Sequence, residues 1–208
     1  MDLDFCIKLG MRFMNIKKIK DLVIGLGAKK AEIINVSDIL FDTSFRKMCE
    51  MNSCGMYGTN WTCPPDIGEI NDLIEEAKAF DLAIVYQTIS KIEDSYDIEG
   101  MLEAGERQNK LALKIKREMG KIPHISSLNL GAGGCKICKT CAKLANKPCV
   151  FPDLAIPSLE AYGISVYDLA QTSGMNYING VNTVTYFGVL LVKEGNKPAN
   201  KKATAQGS

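Results

Sequence analysis

Leu82-Ala83-Ile84-Val85-Tyr86 is an unbroken apolar run bounded by Asp81 and Gln87. Its length and composition read as a buried strand, and the fold follows from what flanks it. Upstream, residues 69–80 carry a helical pattern that leads straight into the run. Downstream, Met101 to Met119 is the longest helical stretch, with Leu102, Leu111, Leu113, Ile115 and Met119 apolar among charged neighbours and Gly120 closing it. Farther out, Ile16, Ile19, Leu22, Val23 and Leu26 recur at helical spacing before Gly27, and AEIINVSDIL from Ala31 reads as a strand. Ile125 to Leu130 is a short extended piece. Ser165 with Asp168 forms a capping pattern for a short helix that Gly174 ends, and TVTYFGVLLV from Thr183 has the content of a strand. Strands alternating with helices predict an α/β fold, a layered sheet-and-helix core from which cysteine-rich, cluster-binding loops project.

The chain has 208 residues and is 46% hydrophobic, enough for one full core and a small cysteine-rich appendage. A single α/β domain is expected over residues 1–192, with metal-binding loops at 49–65 and 133–152. The polar, aperiodic stretch 193–208 reads as a disordered tail, or as a vector-derived scar at Gly207-Ser208. Lys and Arg (25) nearly balance Asp and Glu (24), so no basic field argues for nucleic acid. Asp2 and Asp4 stand where a secretory signal carries positive charge, and no stretch reaches the roughly 18 apolar residues of a membrane span. A cytoplasmic protein with no membrane partner is the expectation. In a reducing compartment the eight cysteines are ligands or reactive thiols before they are disulfides.

Those cysteines fall into two sets. GGCKICKTCAKLANKPCVFP from Gly133 spaces Cys135, Cys138 and Cys141 as C-x2-C-x2-C and brings Cys149 seven intervening residues later. Three thiolates crowded together suit the corners of a cubane cluster, and the run is similar to the bacterial ferredoxin spacing, which has C-x3-C-P where this chain has C-x7-C-V-F-P. Zinc is the alternative, although structural zinc takes its ligands as two separated pairs. Gly131-Ala132-Gly133-Gly134 abuts a ligand and reads as a cluster-binding turn. Lys136, Lys139, Lys143 and Lys147 interleave with the thiols, either as a solvated face or as a docking face for an acidic partner.

The upstream set, Cys49, Cys54 and Cys63, has spacings of C-x4-C and C-x8-C, with glycines at 55 and 58 and Pro64-Pro65 after it. Three cysteines leave a site one ligand short. Cys6, His124 or an external group is available as the fourth, while Cys6 also reads as a small core residue and His124 as a structural histidine. Trp61, Tyr57 and Tyr162 are explained by packing around the loops. The sequence contains no C-x3-C-x2-C run, no phosphate-binding G-x-x-x-x-G-K-[ST] loop and no G-x-S-x-G elbow.

C-x4-C-x2-Y-G-x2-W-x-C-P-P over Cys49 to Pro65, G-x-C-x2-C-x2-C-A over Gly133 to Ala142 and P-S-x-E-A-Y-G-I-x-V over Pro157 to Val166 together resemble the Domain of Unknown Function 2284 family. The resemblance spans the chain up to about Val192. It implies a metal or iron–sulfur centre, with Cys49, Cys54, Cys63, Cys135, Cys138, Cys141 and Cys149 as metal-ligand candidates. Three functions are compatible with these residues. The first is an iron–sulfur protein, with one or two 4Fe-4S clusters, exchanging electrons with a redox partner protein. The second is an enzyme whose open iron at the upstream set binds a small sulfur- or oxygen-bearing substrate, and the third is a zinc-stabilised module without redox chemistry.

Overall fold

The computed structural model describes residues 15–194. Cys6 and the polar tail from residue 195 onward lie outside the described residues. Four strands form the sheet: β1 (Lys30–Asn35), β2 (Leu82–Lys91), β3 (Ile125–Leu130) and β4 (Thr183–Glu194). Their spatial order is β1-β2-β4-β3 and every neighbouring pair is antiparallel. β2 and β3 thus run in the same direction with β4 inserted between them, and a long helix makes the crossover.

The apolar run predicted as a buried strand is one, and it extends to Lys91. Ala83, Ile84, Val85 and Tyr86 are all 0% exposed because both faces of the sheet are covered. Side chains alternate across a strand. Ala83 and Val85 of β2, with Phe187, Val189 and Leu191 of β4, therefore meet α3 (Ile70–Lys78) and α5 (Val166–Thr172) on one face. Ile84, Tyr86, Leu190 and Val192 meet α1 (residues 15–25) and α4 (Ile98–Gly120) on the other. The sheet-and-helix layering expected from the sequence is present. Its antiparallel pairing comes from the connections, which the strand residues do not encode.

Local chemistry sets the ends of these elements. α4 begins three residues earlier than its apolar pattern suggests because Asp97 caps it, accepting from the Gly100 amide at 2.8 Å. Its buried stripe is Ala104, Gln108, Leu111, Ala112, Ile115 and Met119, whereas Leu102 is 58% exposed. Ser165 caps α5 as the sequence indicates, accepting from the Asp168 amide at 3.2 Å. β1 is shorter than its apolar content implied, giving way to a 3-10 turn at Val36–Asp38. The metal-binding loop expected at 49–65 is entered from a six-residue helix, α2 (Phe45–Glu50), which carries Cys49.

Candidate metal centre

The end of β3 and the stretch around α2 bring the two cysteine segments to the same region. β3 finishes at Leu130, and Gly131 is held to the segment before α5: its amide donates to the Pro157 carbonyl and its carbonyl accepts from Leu159, at 2.8 and 3.0 Å. Beyond this anchor the chain enters the C-x2-C-x2-C run. Cys135, Cys138, Cys141 and Cys149 all line a cavity of about 510 Å3, closed on another side by Met56 and the segment Thr59 to Thr62. The cavity brings the whole downstream set to one place. Cys149 carries two further marks of a built environment. Burial pushes its thiol up, and the amide of Phe151 donates to its sulfur, which pulls the other way.

The upstream set lies beside this cavity. Cys49 is carried by α2, Cys54 is exposed in the turn that follows, and Cys63 is buried at 7% exposure. Desolvation first, and then the neighbouring Cys54 and Cys49, push the Cys63 thiol up to about 11. Cys135, from the other set, acts on it in the same direction, so the two sets adjoin. Gly134 is the contact point: a Cβ there would sit 2.9 Å from Cys63 Sγ and 3.1 Å from Met56 Cε. A glycine is needed because the backbone of one cysteine loop passes directly against a thiol of the other.

Four side chains stitch the loops together. Asn60 Nδ2 donates to the Cys135 carbonyl at 2.8 Å, and the Cys135 amide donates to Thr62 Oγ1 at 3.0 Å. Thr62 in turn donates its hydroxyl to Asn60 Oδ1 at 2.9 Å, closing a small network in which both residues are buried. Trp61 Nε1 donates to the Lys147 carbonyl at 3.0 Å, and Lys143 lies over its ring at 4.7 Å while pairing with Asp66. Trp61 is therefore a packing residue, as expected, and also a wall of the cavity. Of the interleaved lysines, Lys143 is spent on this brace and Lys136, Lys139 and Lys147 are exposed.

Other sequence expectations land elsewhere. His124 is exposed at the start of β3, six strand residues (roughly 20 Å) from the end that feeds the cysteine loop, so it stands apart from both sets. Tyr162 is buried and donates to Glu76 Oε2 at 3.0 Å, a packing role. Among the described residues no group of three or more His, Cys, Asp or Glu side chains is gathered for a metal ion. The thiols surround a space instead of converging on a point.

Residues 32–192 match the family model described as predicted metal-binding protein (DUF2284). The chain belongs to that family. The DUF2284 match begins inside β1 and ends inside β4, so it takes in most of the sheet and both cysteine sets and leaves α1 outside. No curated protein and no solved structure matches the chain. Among the described residues no helix is long and apolar enough to cross a membrane. The family description indicates metal binding as the coarse role, and the donor chemistry around the cavity is compatible with it, since four soft sulfur donors face one space.

Two kinds of residue around the DUF2284 centre escaped the sequence reading. Asn60 and Thr62 gave no signal beyond being polar neighbours of Cys63. Lys116 sits on α4 four residues after Ala112, beside the buried stripe, yet reads as one more charge on a charged helix. Its ammonium donates to the carbonyl of Ala155, a residue of the cavity wall.

Proposed function

We propose that the protein is a cytoplasmic iron–sulfur protein that passes electrons to or from a partner protein. In this reading Cys135, Cys138, Cys141 and Cys149 hold a 4Fe-4S cluster, and Cys49, Cys54 and Cys63 contribute to a second centre. One observation carries it: four cysteines from a single loop line a cavity of about 510 Å3, large enough for a multi-atom group. A cluster bound there supplies one-electron chemistry. The protein's residues do the rest. Asn60 and Thr62 fix the Cys135 backbone, the Phe151 amide donates to the Cys149 sulfur, and Gly134 lets the two loops touch, so the two centres would lie close enough to exchange electrons.

Partner docking has support at the cavity mouth. Between Glu118 and Asp153 the sequence holds no acidic residue, and Lys136, Lys139 and Lys147 project into solvent beside exposed Leu144, Val150 and Phe151. In a chain whose charges otherwise balance, such a face suits an acidic electron carrier.

A second reading, an enzyme with an open metal position, is favoured by the upstream set, which offers three cysteines of which Cys54 is exposed. The cavity also falls within the ~300–1,000 Å3 range of small-molecule sites. Anaerobic purification followed by iron, sulfide and zinc quantification, with visible and spin-resonance spectra on the same sample, separates the readings. About eight irons and eight sulfides per chain are expected for two four-iron clusters. A signal that shifts on adding cyanide would move the assignment to the enzyme. Stoichiometric zinc with neither sulfide nor colour would overturn both redox readings and leave a zinc-stabilised module.

A further inference from the structure

Lys116 is a half-buried cation whose ammonium is bonded to a residue of the cysteine cavity's wall, Ala155. It rises from the middle of α4, where Leu111, Ala112 and Ile115 are buried, and it is itself largely shielded from water. An ammonium in such a place loses hydration, and burial accordingly pulls its proton affinity down. Its hydrogen bond to the Ala155 carbonyl satisfies one donor but supplies no counter-charge. Cys135, Asp153 and Cys149 work the other way and favour its charged form. Through Ala155 the ammonium is tied to the wall of the cavity that Cys135 and Cys149 also line. The exposed lysines of the cysteine loop differ in kind, because water and salt screen them.

We infer that Lys116 is a positioning residue that sets the reduction potential of the centre held by Cys135 and Cys149. The inference rests on the iron–sulfur reading above. Uptake of one electron from a low-potential donor adds one negative charge to the centre and makes or breaks no bond. A fixed positive charge tied to the wall of the cavity that holds the centre stabilises that added charge and raises the potential. The same ammonium draws the Ala155 segment against the cavity, so its charge is held at a constant place.

The test is spectroelectrochemical titration of the anaerobically purified protein and three variants, each assayed for iron and sulfide content. Lys116→Met preserves length and packing while removing the charge, and its potential is expected to fall below that of the parent. Lys116→Arg keeps the charge and is expected to retain most of the parent value. Lys114→Met, two residues away on the exposed side of α4, removes a solvated charge and is expected to leave the potential in place. Should Lys116→Met fail to fold, Lys116→Gln replaces it, keeping a donor without the charge. An unchanged potential in the uncharged variant at full cluster content overturns the inference, as does an equal fall in Lys114→Met. Parent protein that shows no reducible centre brings down the iron–sulfur reading, and the inference falls with it.

Discussion

Thr62 holds two loops together through one hydroxyl. That oxygen accepts from the Cys135 amide and its proton goes to Asn60 Oδ1, all within a site where Thr62 is only 5% exposed. Thr62→Val keeps the shape and leaves the Cys135 amide without its acceptor. The expected cost is about 1–3 kcal/mol, seen as a lower urea midpoint with an unchanged slope. Gly134→Ala acts at the other contact, where the new Cβ must displace Cys63 Sγ or Met56 Cε. The methionine tip can yield and the buried thiol cannot do so freely, so this variant is expected to retain its circular dichroism and lose metal, measured as metal per folded chain. The cysteines were legible as candidate ligands because thiol chemistry belongs to the residue type. Asn60, Thr62 and Lys116 were not, because their roles depend on partners far off in sequence; Asn60 reaches its partner across 75 positions and Thr62 across 73.

An element becomes stable where its ends and its packing partners agree, and α4 and β4 show both conditions. Asp97 accepts amide protons from Glu93 and Gly100, and these bonds hold its carboxyl below the ordinary value of 3.8. A depressed carboxylate stabilises the fold above its unfolded pKa, and that contribution fades as the pH drops through the folded one. Asp97→Ala is therefore expected to lower the melting temperature at neutral pH, with the gap to the parent narrowing in acid. Thermal unfolding at about pH 7 and about pH 3 checks this. In β4 the glycine at 188 stands opposite Tyr86, and a Cβ there would lie 2.4 Å from the tyrosine Cζ. The ring lies across the strand so that its hydroxyl can donate to Asn129 Oδ1, while Asn129 Nδ2 donates to the Ala112 carbonyl of α4. Gly188→Ala should cost about 1–3 kcal/mol in an intact core. In a Tyr86→Leu background the added methyl meets no ring, so the double variant should be less destabilised than the two single losses added. This link between strand, ring and helix explains the mixed legibility of the fold. Apolar runs revealed β2 and β4 because burial leaves its mark on composition. Strand order and direction left no such mark, and the six-residue α2 has too few turns to show a period.

At the scale of the whole molecule, the apolar core and the cysteine region are separate structures that share a boundary. The two packed clusters on either face of the sheet draw on β1 to β4 and the helices over them, and neither contains a cysteine. Six of the seven described cysteines are exposed or only partly buried, and Cys63 alone is buried. A metal centre here would order loops attached to a core that already excludes water by itself, unlike small metal modules whose folding free energy is the binding free energy. Anaerobic removal of metal with a chelator is therefore expected to leave the sheet intact. Hydrogen exchange followed by mass spectrometry reads this segment by segment. Amides of 82–91 and 183–192 should keep their protection, while those of 49–65 and 133–152 should lose theirs as the loops open locally. A cooperative loss over the sheet as well would show that the metal carries the fold, and the division between core and centre would have to be abandoned. Equal protection everywhere, with metal verified as removed, would instead mean that Asn60, Thr62, Trp61 and Lys143 brace the loops without any metal. The site would then be preorganised, and binding would not have to order the loops that surround it.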